Sequence, residues 1–120
     1  MIKTYFKIYG KRISENKGFG VFTNEFIPKG SIVEHSYCVP IDDNKDFFDY
    51  RFGEKDDTFM PLGFACIYNH SFEPNLEQRK LDDFTLEWKA TRDIEIGEEL
   101  CHNYGEQYWI IRAYKKKNLE

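Results

Sequence analysis

The sequence predicts a mainly β protein with little helix. Glycine and proline recur at short intervals along the 120 residues, and these residue types mark turns. The runs between them are short and rich in Val, Ile, Thr, Phe and Tyr, which favour strands. Several runs also alternate apolar and polar residues, as strands with one buried face do.

Strand candidates follow one another along the chain. The clearest is residues 84–91, where Phe84, Leu86, Trp88 and Ala90 alternate with polar residues. Side chains of a strand point alternately to its two faces, so this apolar set is predicted to be buried on one face. The other candidates are residues 5–8, 20–23, 31–39 and 99–103.

Helix is predicted only for residues 43–52 and 106–117. Segments beginning at Ile27 and Ile94 each place a glycine three residues later, just before a strand. This spacing predicts two similar turns rather than a repeat. No linker or low-complexity segment divides the chain, so a single domain of residues 1–120 is expected.

Composition and charge exclude several classes of protein. Hydrophobic residues make up 41% of the chain and aromatic residues 18%, which is enough for a packed core. No apolar stretch approaches the roughly 20 residues that span a bilayer, and no secretory signal is present. We therefore expect an intracellular protein without a membrane partner. A formal charge of −4 disfavours direct binding to nucleic acid and suits a cationic partner.

Metal sites and disulfides are not expected. Cys38 and Cys66 are far apart along the chain, as are Cys66 and Cys101, and no CxxC pair occurs. The three cysteines are interpreted as small buried residues. The three histidines also lack the spacing of zinc ligands.

Three local motifs contain residues that ordinary strands and turns do not require. Gly18-Phe19-Gly20 lets the backbone approach a ligand closely, although a turn or bulge uses the same letters. Asn69-His70-Ser71, with Pro74-Asn75 downstream, offers donors and acceptors for an adenine ring or an amino acid. A capped turn fits these letters as well. Glu98-Glu99-Leu100-Cys101-His102-Asn103-Tyr104-Gly105 can present a tyrosine hydroxyl, although most tyrosines only pack.

Taken together and in this order, the motifs resemble the SET-domain family of protein lysine methyltransferases. The patterns of that family are a Gly-x-Gly, an Asn-His-Ser with downstream Pro-Asn, and a Glu-Glu before Asn-Tyr-Gly or Asp-Tyr-Gly. The resemblance covers residues 17–109, and the size is similar to that of the minimal single-domain SET proteins of large viruses. The cysteine-rich, zinc-binding flanks of larger members are lacking. The implied fold has several short curved sheets and a knot-like threading of the C-terminal segment through an upstream loop, which is rare.

The resemblance also implies a cofactor and a site. S-adenosylmethionine would be the methyl donor and S-adenosylhomocysteine the product. Tyr104 is implied as the catalytic residue, whose hydroxyl orients the amine and stabilises charge near the transferred methyl group. Tyr50 and Tyr68 are candidate walls of the lysine channel. The implied cofactor-binding residues are Gly18, Phe19, Gly20, Asn69, His70, Tyr108 and Trp109.

A basic protein substrate, first of all a histone tail, follows from the same resemblance. Acidic residues are concentrated in one segment and, if they line the substrate groove, would select a lysine- and arginine-rich peptide; a solvated surface gives the same pattern. The acidic residues are Asp42, Asp43, Asp46, Asp49, Glu54, Asp56 and Asp57. A histone substrate implies a nuclear location and another protein a cytoplasmic one, while the viral resemblance suggests a homodimer. The alternatives are a nonhistone substrate and a noncatalytic peptide-binding module.

Overall fold

The computed structural model describes residues 2–15, 18–40 and 59–105. The elements in these ranges are nine strands and one short 3₁₀ helix at Phe64–Cys66. The strands are β1 (Lys3–Thr4), β2 (Ile8–Ser14), β3 (Gly18–Thr23), β4 (Ile32–Pro40), β5 (Phe59–Pro61), β6 (Asn69–His70), β7 (Leu76–Asp82), β8 (Thr85–Ala90) and β9 (Glu99–His102). The predicted helices lie outside the described residues. No helix within these three ranges is long and apolar enough to cross a bilayer.

The strands form two small sheets. One has the order β1-β4-β8-β7, with β5 also paired to β4, and the other has the order β2-β3-β9-β6. All neighbours are antiparallel except β6 and β9, which run parallel. The predicted mainly β architecture is confirmed, while the knot-like threading stays a prediction.

Four of the five predicted strands are confirmed, and the candidate at residues 5–8 is wrong. β1 ends at Thr4 and β2 begins at Ile8, with a bend between them. Contacts from the two residues that follow β3 stabilise that bend. Glu25 accepts a hydrogen bond from the Lys7 amide at 2.8 Å, and the Asn24 amide donates to the Lys7 carbonyl at 2.7 Å. The aromatic residues of this segment favoured a strand by propensity, and tertiary contacts override that preference.

The core lies between the two sheets and confirms most of the alternation predicted for residues 84–91. Leu86, Trp88 and Ala90 are buried, whereas Phe84 precedes β8 and is half exposed. The largest fully buried side chains around them come from both sheets and from the two turns that contain Ile27 and Ile94. Those from the sheets include Leu76, Leu100, Val21 and Val33.

The two similar turns predicted from the sequence pack against each other. Ile27 and Ile94 are both fully buried and form an isolated antiparallel bridge, with N···O distances of 2.9 and 2.8 Å. The glycines that end the two turns, Gly30 and Gly97, both have positive φ, at 88° and 91°. This bridge joins the end of β3 to the end of β8 and so fixes where β9 begins.

Candidate active site

The second and third sequence motifs meet where β6 lies beside β9. Asn69 pairs with Cys101, and His70 pairs with His102, in parallel register. The Asn75 side chain strengthens this junction, because its amide nitrogen donates to the Glu99 carbonyl at 2.8 Å and its oxygen accepts from the Cys101 amide at 2.9 Å. An amide carries both a donor and an acceptor, so Asn75 satisfies the edge of β9 as another strand would.

The Asn69 side chain brings the first motif to the same place. Its amide nitrogen donates to the Phe19 carbonyl at 3.0 Å and to a Glu99 carboxylate oxygen at 2.7 Å. Gly20 is buried beside this carboxylate. One half-buried asparagine therefore joins the Gly18-Phe19-Gly20 segment, β6 and β9.

Tyr104 is held by the two residues that flank Asn69. Its backbone amide donates to His70 Nδ1 at 3.0 Å, and its hydroxyl donates to the Tyr68 carbonyl oxygen at 2.8 Å. The Tyr104 side chain is partly buried. These two bonds fix the direction of the hydroxyl at the end of β9.

Both histidines at the junction are neutral at physiological pH. Burial lowers the pKa of His70, and burial lowers the pKa of His102 to about 4, where nearby His70 also disfavours a second positive charge. Because His70 Nδ1 accepts a hydrogen bond from Tyr104, the proton of the neutral ring sits on Nε2. The site therefore contains no positive imidazolium to repel a cationic substrate.

Aromatic rings pack around Tyr104 and the two histidines of the junction. The His102 ring contacts Trp88 and Tyr104, with centroid distances of 4.8 Å in both pairs. The His70 ring lies 5.2 Å from that of Tyr104 and 4.3 Å from that of Phe72. Trp88 and His102 are buried, whereas Phe72 is 75% exposed. The buried side of this cluster has a low dielectric, which favours the neutral form of an amine over the ammonium.

Below this cluster, the Tyr68 side chain points into the core. It is 2% exposed, its ring packs edge-on against Trp88 at 4.9 Å, and its hydroxyl donates to Glu34 Oε1 at 2.8 Å. Glu34 itself is fully buried. What Tyr68 presents to Tyr104 is its backbone carbonyl.

The sequence motifs assign no function to several residues of this site. Asn75 and Glu99 lie within the motifs, and the only indication of their function is that their side chains can hydrogen-bond to a backbone or an amide group. Glu34 gave one faint signal, a carboxylate inside an apolar strand. His102 gave none, because a histidine near a strand end is usually exposed or merely packed. The three-dimensional pairing of β6 with β9 was required to assign them.

The structure brings most of the predicted site residues together. Those that meet at the β6 and β9 junction are Phe19, Gly20, Tyr68, Asn69, His70 and Tyr104, and Gly18 precedes Phe19 on β3. Tyr50, Tyr108 and Trp109 lie outside the described residues, so their roles stay predictions. Within the described part of the chain, no group of three or more His, Cys, Asp or Glu side chains could hold a metal ion.

The residues at the junction fit a ligand with an aromatic base and an amino-acid end. Phe19 is 58% exposed and offers a free aromatic surface, on which a planar base can stack. Nothing lies within 4 Å of the Cβ position of Gly18, so the backbone there is open to close approach, whereas Gly20 is packed against Glu99. Asn69 and His70 add amide and imidazole groups. This set of donors and surfaces matches the chemistry of S-adenosylmethionine.

Replacing Gly20 by alanine should disturb the bond between Glu99 and Asn69. A Cβ at this position would lie 2.5 Å from Glu99 Oε2 and 2.8 Å from Ile13 Cδ1. Overpacking of this kind should lower the free energy of unfolding by about 1 to 2 kcal/mol. Gly10→Ala on β2 is the matched control, since nothing lies within 4 Å of its Cβ position. Denaturant titration and the Asn69 amide resonances would check this, and equal behaviour of the two variants would refute it.

The fold and the site together define an enzyme built on small β-sheets, in which a tyrosine hydroxyl is fixed beside a cluster of aromatic rings. The family model of the SET domain matches residues 18–105. The chain belongs to the SET-domain family and is a protein-lysine methyltransferase.

Two known proteins illustrate this membership. A histone-lysine N-methyltransferase of Schizosaccharomyces pombe, specific for lysine 37 of histone H3, is 28% identical over 110 residues; the match covers 82% of this chain and 74% of the relative. The crystal structure of a proposed histone methyltransferase from Plasmodium falciparum is 31% identical, with a TM-score of 0.71. That match covers 87% of this chain and 97% of the other.

Proposed function

We propose that this chain, as a single domain of residues 1–120, transfers a methyl group from S-adenosylmethionine to the ε-amine of a lysine in a histone tail. One observation carries the proposal: the Tyr104 hydroxyl is fixed 2.8 Å from the Tyr68 carbonyl, next to the Asn69–His70 segment. The motifs that the family uses for cofactor and for chemistry are thereby adjacent in space.

The cofactor would be held by the residues around Asn69. The backbone of Gly18, Phe19 and Gly20 would line its site, the Phe19 ring would cover it, and Asn69 and His70 would bind its polar groups. Tyr108 and Trp109 are proposed to add aromatic cover. The chemistry that S-adenosylmethionine supplies when bound is an electrophilic methyl group on a sulfonium, with S-adenosylhomocysteine as the product.

The protein's own residues would prepare the lysine. An ammonium has no lone pair, so the amine must be neutral before it can attack, and the aromatic surroundings of Tyr104 favour that form. The Tyr104 hydroxyl would orient the amine and stabilise positive charge as it develops. Tyr68 would line the channel through its carbonyl, because its ring is buried, and Tyr50 is proposed as a further wall.

A histone is the proposed substrate class. Support comes from the two relatives, one named as a histone methyltransferase and one described as a proposed one, and from the acidic residues between Asp42 and Asp57. A histone substrate places the proposed site of action in the nucleus. Direct contact with nucleic acid is not required by this function, and the homodimer stays a prediction.

The proposed function predicts cofactor binding without a metal ion. Calorimetry with S-adenosylmethionine should give a 1:1 binding isotherm that is the same before and after treatment with a chelator. Incubation with isotopically labelled cofactor, core histones and a panel of nonhistone proteins should then label a histone lysine. Loss of binding after chelation would contradict the metal-free site, and labelling of nonhistone proteins alone would favour the other substrate class.

A further inference from the structure

A buried carboxylate, Glu34, anchors the residue whose carbonyl receives the Tyr104 hydroxyl. Glu34 lies on β4 and is fully buried. Its Oε1 accepts the Tyr68 hydroxyl at 2.8 Å, and its Oε2 accepts the Phe64 amide at 2.8 Å. Two donors, one from a side chain and one from the backbone, therefore converge on one buried carboxylate.

The loop in front of the 3₁₀ helix is built around this carboxylate. Gly63 has φ of 94°, and a Cβ there would lie 2.5 Å from Glu34 Oε2. An alanine at this position would displace the carboxylate from the Phe64 amide. The glycine thus leaves the space in which Glu34 binds both Phe64 and Tyr68.

We infer that Glu34 is a positioning residue for methyl transfer, which holds Tyr68 so that its carbonyl fixes the catalytic hydroxyl of Tyr104. The Tyr68 side chain is fastened at its hydroxyl by Glu34 and along its ring by Trp88. Because both the hydroxyl and the ring are held, a tilt of the Tyr68 peptide would break either the hydrogen bond to Glu34 or the contact with Trp88. This inference rests on the proposed role of Tyr104.

Glu34→Gln tests the inference with little change of volume. The backbone amide of Phe64 can only donate, so the glutamine oxygen must face it. The glutamine nitrogen, which is itself a donor, then faces the Tyr68 hydroxyl, and the hydrogen bond that this hydroxyl donates in the parent is lost. The disturbance is thereby directed at Tyr68. Loss of one hydrogen bond changes a rate by about five- to tenfold. We expect Glu34→Gln and Tyr68→Phe each to slow single-turnover methyl transfer by that factor, with cofactor affinity changed less than twofold.

Two comparisons separate positioning from a general loss of structure. The double variant should be no slower than the slower single variant within about twofold, because both changes break the same connection. Glu87→Gln removes another buried carboxylate, on β8, which binds His35 and Arg79 on the opposite face of the same sheet. It should leave the transfer rate unchanged. Multiplicative rate losses in the double variant, or single-variant rates within twofold of the parent, would overturn the inference.

A spectroscopic measurement tests the same connection without any activity. The ring ζ-carbons of the eight tyrosines can be labelled with ¹³C, and the signals of Tyr68 and Tyr104 assigned by their loss in the phenylalanine variants. Glu34→Gln should shift both signals, and Glu87→Gln neither. Signals that stay in place would exclude the positioning role even if the parent transfers methyl groups. If Glu34→Gln shifts both signals but the parent protein transfers no methyl group, the result would instead contradict the proposed function.

Discussion

Tyr104→Phe should reduce methyl transfer by about a hundredfold while leaving the protein folded. The change removes the hydroxyl that donates to the Tyr68 carbonyl and keeps the ring that packs against His70 and His102. Loss of one hydrogen bond should lower the free energy of unfolding by about 0.5 to 1.5 kcal/mol. An oriented hydroxyl beside developing charge in a dry site contributes more, on the order of 3 kcal/mol to the barrier.

Tyr5→Phe is the matched control for this experiment. The Tyr5 hydroxyl also makes a side-chain hydrogen bond, to His35 Nδ1 at 2.7 Å, but it lies on the outer face of the first sheet and is exposed. Single-turnover rates at saturating cofactor would compare the two. A Tyr104 variant that retains a rate within a few fold of the parent, or a Tyr5 variant that is equally slow, would show that the catalytic assignment is wrong.

The strands that the sequence predicts well are those that carry their own signal. β8 alternates apolar and polar residues because one face packs in the core, and β3, β4 and β9 each carry apolar residues that are buried in that core. β2 and β7 were missed because their residues are mostly polar and exposed. Such strands form because a neighbour offers backbone partners, as β3 does for β2 and β8 does for β7. Periodicity within a segment cannot reveal this.

The residues of the site also fall into those that the sequence reveals and those that only the structure reveals. Gly18-Phe19-Gly20, Asn69-His70-Ser71 and Tyr104 could be recognised because their order and spacing resemble a family. The contacts of Glu34 could not, since they depend on where β4 passes under the 3₁₀ helix. Its buried position also runs against the usual exposure of carboxylates, so only the packed structure connects it with Tyr68 and Tyr104.

The electrostatics of that buried carboxylate lead to a second large effect, on stability. Burial raises the pKa of Glu34 from 4.5 to about 7, although the hydrogen bonds from Tyr68 and Phe64 act to lower it. Because the folded protein holds this proton more tightly than the unfolded chain, the parent loses stability as the pH rises from about 4.5 through 7. A pKa raised by this amount corresponds to about 3 kcal/mol.

Glu34→Gln should therefore be more stable than the parent above pH 7 and nearly equal to it near pH 4.5. The amide resembles the protonated acid and cannot ionise, so the difference in unfolding free energy should grow to about 3 kcal/mol by pH 7.5.

The unfolding free energy of the parent alone would not reveal this effect, because a second group acts in the opposite direction. Burial lowers the pKa of His102 to about 4, so His102 makes the parent less stable as the pH falls from 6.5 to 4. His102→Gln should accordingly show a difference of the opposite slope. Urea titrations of the three proteins between pH 4 and 8 would check both signs. A Glu34→Gln difference that stays flat would mean that the carboxylate ionises as easily in the fold as in water. A positive difference would show that an ionised Glu34 lowers stability in the pH range of methyl transfer, as expected of a group retained to position Tyr68.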